Sequence, residues 1–249
     1  MIAEIILTLW LCYFVLFLVS LKIKDNSIVD VFWGTGFLIF AGILFFSQES
    51  INIYEIIFFT VFSIWWIRLT YHIGKRKLFS KKEDPRYAGW REDWKYFKTR
   101  SFFQIYVLQM VLLLIISIPV YFIFQGEIWA NIFTISWIVI MILGLGYEAV
   151  ADYQLKKYLQ NTTEKNKVFT WGLYKYSRHP NYFGESIFWL WISIISLKNS
   201  VFWIIWFLII TLLLLFVSGV PLQEKRHKKK DNWEKYSQKT PKFIPNFFK

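Results

Sequence analysis

The chain has 249 residues, 56% of them hydrophobic, with 26 Phe and 14 Trp, and a formal net charge of +12. Large apolar residues in that proportion, gathered in long blocks, exclude an ordinary soluble domain and fit a polytopic membrane protein. Cys12 is the only cysteine, which excludes an intramolecular disulfide and a cysteine-based zinc site.

Seven apolar stretches are expected to span, at about 2–21, 28–47, 52–73, 102–124, 129–150, 183–197 and 200–220. The first lacks a basic leader and a small-residue cleavage site, so it reads as a span and not a signal peptide. The sixth is short and either begins in the polar stretch before Phe183 or is partly re-entrant. Charge orders the loops. Residues 22–27 hold Lys22 and Lys24, residues 74–101 hold ten Lys or Arg, residues 151–182 hold six and residues 221–249 hold nine. The loops near Gln48, Gln125 and Leu197 together hold only Lys198. The positive-inside rule then puts the basic loops and the C-terminus in the cytoplasm and the N-terminus outside. The expected fold class is an all-α integral membrane protein of about seven transmembrane helices, one domain over residues 1–249. Usage rich in Lys, Ile, Phe and Asn points to a bacterial inner membrane, or to the endoplasmic reticulum in a eukaryote. The charges sit in loops without a nucleic-acid motif, so the expected partners are anionic lipids and a phosphorylated cofactor, not nucleic acid.

Polar residues at membrane depth are costly and mark candidate sites. In chain order, Asp30 opens span two, followed by Trp33, Gly34 and Gly36. Asp30 is either a helix cap or a carboxyl group at a pocket, able to relay a proton. Arg68, Tyr71 and His72 end span three. Arg68 either snorkels to the interface or turns inward toward a phosphate or carboxylate. Tyr71 either polarises a carbonyl or sits in the interfacial aromatic belt. The mixed stretch from Glu83 to Trp94 reads as an interfacial helix. Glu148 and Asp152 are four residues apart and share a helix face, which Lys156 extends. That stripe leads into Trp171-Gly-Leu-Tyr-Lys-Tyr-Ser-Arg-His-Pro-Asn-Tyr-Phe-Gly-Glu185. Pro180 blocks a regular helix through Arg178 and His179 and lets one start around Asn181. The free amides there, with Arg178 and His179, suit an anion such as a pyrophosphate. Tyr174, Tyr176, Tyr182 and Glu185 surround them. No Gly-x-Gly-x-x-Gly or Walker loop occurs, and the three scattered histidines give no metal centre.

These pieces resemble the steroid 5α-reductase C-terminal superfamily, in its bacterial-type branch, DUF1295. The resemblance rests on Asp30-Val-Phe-Trp-Gly34, Arg68-Leu, Glu83-Asp-Pro-Arg-Tyr87, Ala151-Asp-Tyr-Gln-Leu155, the long motif Gly172–Glu185, and the tail Tyr236…Phe243-Ile-Pro245. It implies a seven-helix membrane oxidoreductase that takes NADPH from the cytosol. A hydride then reduces the C=C bond of a lipophilic α,β-unsaturated carbonyl, steroid- or isoprenoid-like, drawn from the bilayer. It further implies cofactor contacts by Asp152, Tyr176, Arg178, Asn181 and Glu185. Arg68, Glu148, His179, Tyr182 and Glu224 complete the candidate cofactor set. The acid is assigned to Asp30, and the polarising tyrosine to the third span, where Trp65 and Tyr71 fall. Arg-His-Pro departs from animal steroid reductases, so steroid specificity does not carry over.

Two other readings share these residues. One is an S-adenosylmethionine-dependent membrane methyltransferase of the isoprenylcysteine carboxyl type, with Glu224 gripping the cofactor. The other is a non-catalytic lipid-binding membrane protein.

Overall fold

A computed structural model of the chain describes residues 1–80, 82–126, 132–164, 166–196, 204–217 and 219–248. Among these residues the structure is helical, with no strand. Six helical stretches are long and apolar enough to cross a membrane: Ile2–Ile23, Ile28–Phe46, Ile53–Leu78, Phe97–Gln125, Thr134–Asn161 and Ile204–His227. Their outward faces are apolar: Leu7, Leu11, Val15, Leu18, Val139 and Leu143 are all exposed. That is the surface of a protein whose solvent is lipid. The expected beginnings of the fifth span at 129 and the seventh at 200 lie outside the described residues, as does Lys198.

The chain divides into two compact units, Met1–Trp129 and Ala130–Lys249. The first contains α1 (Ile2–Ile23), α2 (Ile28–Phe46), α3 (Ile53–Ser80), the short α4 (Pro85–Asp93) and α5 (Phe97–Ser101). A π-helical segment, Phe102–Val107, then runs into α6 (Leu108–Gln125). α2 is central and packs on α1, α3 and α6. Phe37 stacks on Trp66 with ring centroids 3.9 Å apart, and Trp65, Phe58 and Phe62 are fully buried nearby on α3. Lys24 ends α1 in the left-handed conformation. Asp84 caps α4 by accepting from the Arg86 amide at 3.0 Å, and Pro85 supplies the preset φ of a first helical residue.

The second unit contains α7 (Ile132–Asn161), a 3-10 turn at Gly172–Lys175, and α8 (Pro180–Ser196). It continues with α9 (Ile204–Leu212), a second π-helical segment at Leu213–Val217, α10 (Val220–His227) and α11 (Trp233–Lys239). α7 has 30 residues. At 1.5 Å per residue it is about 45 Å long, longer than a hydrocarbon core of about 30 Å. Its last turns, with Asp152, Gln154 and Lys156, therefore project beyond the membrane's apolar depth. α8 lies where the sixth span is expected and starts at Pro180, but its 17 residues put it at the short end for a crossing.

Among the described residues α7 and α8 pack closely along one another. Gly184 makes it possible. A Cβ there would stand 2.9 Å from the Glu148 backbone nitrogen and 3.0 Å from the Gly144 carbonyl oxygen. Small residues at a helix crossing in lipid allow this approach. It presses the backbone of the long motif against the polar end of α7.

Candidate functional site

The first unit gathers its polar groups at the start of α2. The Tyr87 hydroxyl donates to Asp30 Oδ1 at 2.6 Å, and Arg86 Nη2 reaches Asp30 Oδ2 at 2.9 Å. Gln109 Nε2 stands 3.4 Å from the Tyr87 hydroxyl and 3.5 Å from Asp30 Oδ1. Tyr87 is buried, and burial, followed by the neighbouring Asp30 charge, pushes its pKa well above the usual phenol value. The phenol stays protonated and remains a donor.

The loop carrying these groups is pinned from several sides. Arg91 forks onto Glu83 at 2.8 and 3.0 Å, and Glu83 also accepts from the Asn26 amide at 2.8 Å. The Asp84 amide donates to the Ser27 hydroxyl at 2.7 Å, Tyr106 donates to Asn26, and Lys77 pairs with Asp25. The Glu83–Tyr87 sequence is thus a strap that closes over the end of α2. The two Asp30 oxygens are taken by Tyr87, Arg86 and Gln109. Tyr71 lies elsewhere. It is exposed and meets Lys75 at 3.3 Å. Arg68 is half-buried on α3.

Tyr87 was not singled out by sequence as a candidate. The available signal was the mixed Glu-Asp-Pro-Arg-Tyr run itself, whose charges need partners and whose proline sets a turn next to the tyrosine.

The second unit folds the long motif around Arg178 and His179. The Arg178 guanidinium pairs with Glu224 of α10 at 2.9 Å and lies over the Trp233 ring at 5.4 Å. His179 is completely buried, with Nε2 3.3 Å from Glu224 and Nδ1 3.3 Å from the Gln223 side chain. Gln223 also meets the Tyr182 hydroxyl at 2.9 Å. Burial pushes the imidazole pKa down to about 4, against the opposing pull of Glu224. The ring is therefore neutral at pH 7. Both ring nitrogens face acceptors, Gln223 Oε1 and Glu224 Oε1, so the neutral ring donates to one of them, while Gln223 Nε2 donates to the Tyr182 hydroxyl.

The C-terminal tail holds this motif in place by backbone bonds. The Arg178 amide donates to the Pro241 carbonyl at 2.9 Å, and the Asn246 amide to the Tyr176 carbonyl at 3.0 Å. Ser177 donates to the Phe243 carbonyl at 2.7 Å, and the Tyr236 hydroxyl to the Tyr174 carbonyl at 2.6 Å. Gly172 has φ +61, a conformation that disfavours a side chain, and a Cβ there would collide with Gln154. Gln154 instead accepts from the Leu173 amide at 2.9 Å, tying the α7 extension to the motif.

Among the described residues, three buried polar atoms of this cluster make no hydrogen bond: Asn181 Oδ1, Arg178 Nε and the Tyr174 hydroxyl. Burial, then the charge of Asp152, raises the Tyr174 pKa, with Tyr236, Tyr182 and Tyr147 also acting on it. Glu148 is buried at the Gly184 crossing. Tyr176 is half-buried, with its ring 5.0 Å from that of Phe247. Glu185 is half-buried on the first turns of α8.

Asp152, Arg178, His179, Asn181, Tyr182 and Glu224 thus belong to the second unit, whereas Asp30, Arg68 and Tyr71 belong to the first. A family model described as a protein of unknown function, DUF1295, matches residues 16–240, which include all of these positions. The chain belongs to the DUF1295 family. No curated protein and no solved structure matches it. The DUF1295 match reaches from α1 to the end of α11, so the strap over Asp30 and the Arg178 cluster both fall within it.

Proposed function

We propose that this DUF1295 chain is an NADPH-dependent membrane oxidoreductase of the steroid 5α-reductase superfamily, reducing the C=C bond of a lipophilic α,β-unsaturated carbonyl. The observation that carries the reading is the 2.6 Å bond between Tyr87 and Asp30. A buried phenol held against a carboxylate is a donor able to polarise a carbonyl oxygen. This moves the tyrosine's role from the third span, where Tyr71 is exposed, to Tyr87 in the strap.

The second unit fits the cofactor. Arg178 offers a planar fork for a phosphate, with Nε still unpartnered. Asn181 Oδ1 is a buried acceptor awaiting a donor, such as a hydroxyl or amino group. Tyr174, Tyr182 and His179 add further polar atoms, and Asp152, Tyr176, Glu148, Glu185 and Glu224 lie on the same motif or against it. Arg178 would exchange its Glu224 contact for the phosphate. NADPH, when bound, supplies the hydride that adds to the β-carbon.

The chain's own residues manage the other half of the reaction. As the C=C bond is reduced, charge builds on the carbonyl oxygen. The Tyr87 hydroxyl turns from Asp30 to donate to that oxygen. Gln109, already within reach of both groups, and Arg86 then hold the Asp30 carboxylate in its place. A proton from water adds to the α-carbon of the enolate and completes the product, and Asp30 realigns Tyr87 for the next turnover.

In this reading α8 is the sixth of seven crossings, and the basic loops support an N-terminus outside and a C-terminus in the cytoplasm of a bacterial inner membrane. Anionic lipids neutralise those loops, and the substrate enters from the bilayer.

The position of Glu224, between Arg178 and His179, favours a second reading. A carboxylate there would suit the amino group of S-adenosylmethionine, and the chain would then be a methyltransferase. Deuterium transfer separates the two. The purified chain is incubated with 4-deuterated NADPH and a panel of lipophilic enones, and the products are analysed by mass spectrometry. Deuterium at the β-carbon supports the reductase. Methylated product from S-adenosylmethionine, with no deuterated product, overturns it.

A further inference from the structure

The second unit holds another basic feature that neither reading uses. A recess of about 350 Å³ opens between the loop ahead of Arg178 and α11. Thr170 and Lys175 line it from the loop, and Lys235, Tyr236, Lys239 and Thr240 from the helix and its end. No carboxylate is among its walls. The three lysines are exposed, whereas Tyr236 and Thr240 are buried and form the floor. None of the three lysines pairs with an acidic residue among the described residues, in contrast to Lys77 and Lys167. Arg178 faces Glu224 and Trp233 and does not line the recess.

Three ammonium groups around one concavity repel one another and focus a positive potential there. A single polyvalent anion relieves that repulsion. Ammonium groups are compact donors that bind phosphate as point charges, and the two threonine hydroxyls add donors for its remaining oxygens. The floor is tied to the motif, because the Tyr236 hydroxyl bonds the Tyr174 carbonyl at 2.6 Å. The two walls come from different segments, the 170–175 loop and the 232–240 tail, already joined by the Asn232 amide group and Val168 at 2.7 and 2.9 Å.

We propose that this recess is a second anion site that takes a phosphate group, and that its occupant clamps the C-terminal tail onto the loop carrying Arg178. The phosphate belongs either to a free anion or to an anionic lipid headgroup. The full chain, purified in an uncharged detergent, is titrated with inorganic phosphate, with a short-chain phosphatidylglycerol, and with the matching phosphatidylcholine as control. Thermal unfolding and tryptophan fluorescence are followed.

Either phosphate ligand should raise the melting temperature saturably, and the control lipid should not. The triple variant Lys175→Gln/Lys235→Gln/Lys239→Gln should lose at least tenfold in apparent affinity. The double variant Lys175→Gln/Lys239→Gln serves if the triple one folds poorly. A response to phosphatidylglycerol alone makes the ligand a lipid headgroup, and a response to phosphate makes it a soluble anion. Absence of a saturable response to both, or an equal response in the variants, overturns the site. NADPH is titrated against the same proteins. Loss of NADPH binding in the lysine variants alone would overturn a separate site, whereas failure of NADPH to bind even the unaltered chain would strike only at the reductase reading.

Discussion

Tyr87 donates a 2.6 Å hydrogen bond to Asp30, a residue 57 positions earlier in the chain. The strap that carries Tyr87 is fastened by the Glu83–Arg91 fork and by Asp84 on Ser27, so this bond is positioned by its surroundings and not by local sequence. Tyr87→Phe removes the donor while keeping the ring. It should lower turnover of a lipophilic enone by about 100-fold, the range of a positioned acid–base group. Stability should fall by about 1 kcal/mol, because half-buried Asp30 Oδ1 loses its strongest donor. Steady-state rates and thermal unfolding in detergent measure the two effects separately. Undiminished turnover would leave the bond a purely structural tie.

Asp30→Asn keeps an acceptor for Tyr87 and should leave the fold intact. Turnover should drop at least as far as in Tyr87→Phe, and the double variant should be little worse than either single one. Residues acting as a unit are not additive in this way. Multiplicative losses in the double variant would mean that the two groups act independently.

Gly184→Ala should destabilise the second unit by about 1–3 kcal/mol, since the new methyl meets the Glu148 and Gly144 backbones, which cannot yield locally. Gly146→Ala is the control. Nothing lies within 4 Å of its added carbon, and alanine improves helix propensity by about 1 kcal/mol. Thermal unfolding of the two variants should therefore move in opposite directions.

The neutral buried His179 makes stability depend on pH. Its folded pKa is about 4, below the ordinary value of 6.5. The unfolded chain therefore takes up a proton first as pH falls, and stability declines between pH 6.5 and pH 4, levelling below that. The full shift corresponds to about 3 kcal/mol. Unfolding followed from pH 8 to pH 4 should show this slope, and His179→Gln should remove it. An unchanged slope in the variant would assign the pH dependence to other groups.

Much of the helical order is legible in the sequence, for a physical reason. Blocks of apolar residues long enough to span leave few alternatives, so α1 and α2 fall within two residues of their expected ends. Pro180 marks a helix start because its chemistry is local. The Tyr87–Asp30 bond leaves no such trace, since pairing across 57 residues has no periodic signature, and Tyr71 is an equally plausible tyrosine until the strap is folded. The docking of Pro241, Phe243 and Asn246 onto the motif is hidden for the same reason: it uses backbone atoms, which every residue carries. Glu224 is visible in the sequence only through analogy, whereas in space it sits against both Arg178 and His179.

The central claim, an NADPH site built on Arg178, is tested most directly by ligand-induced stabilisation. The purified chain and Arg178→Ala are melted with NADPH, NADH or S-adenosylmethionine. A ligand at a hundredfold excess over its Kd stabilises by about 2.7 kcal/mol. NADPH should raise the melting temperature of the chain, and that rise should vanish in Arg178→Ala, whose unliganded melting temperature is itself lower because Glu224 loses its partner. Stabilisation by S-adenosylmethionine and not by NADPH, or an NADPH response that survives the loss of Arg178, would contradict it.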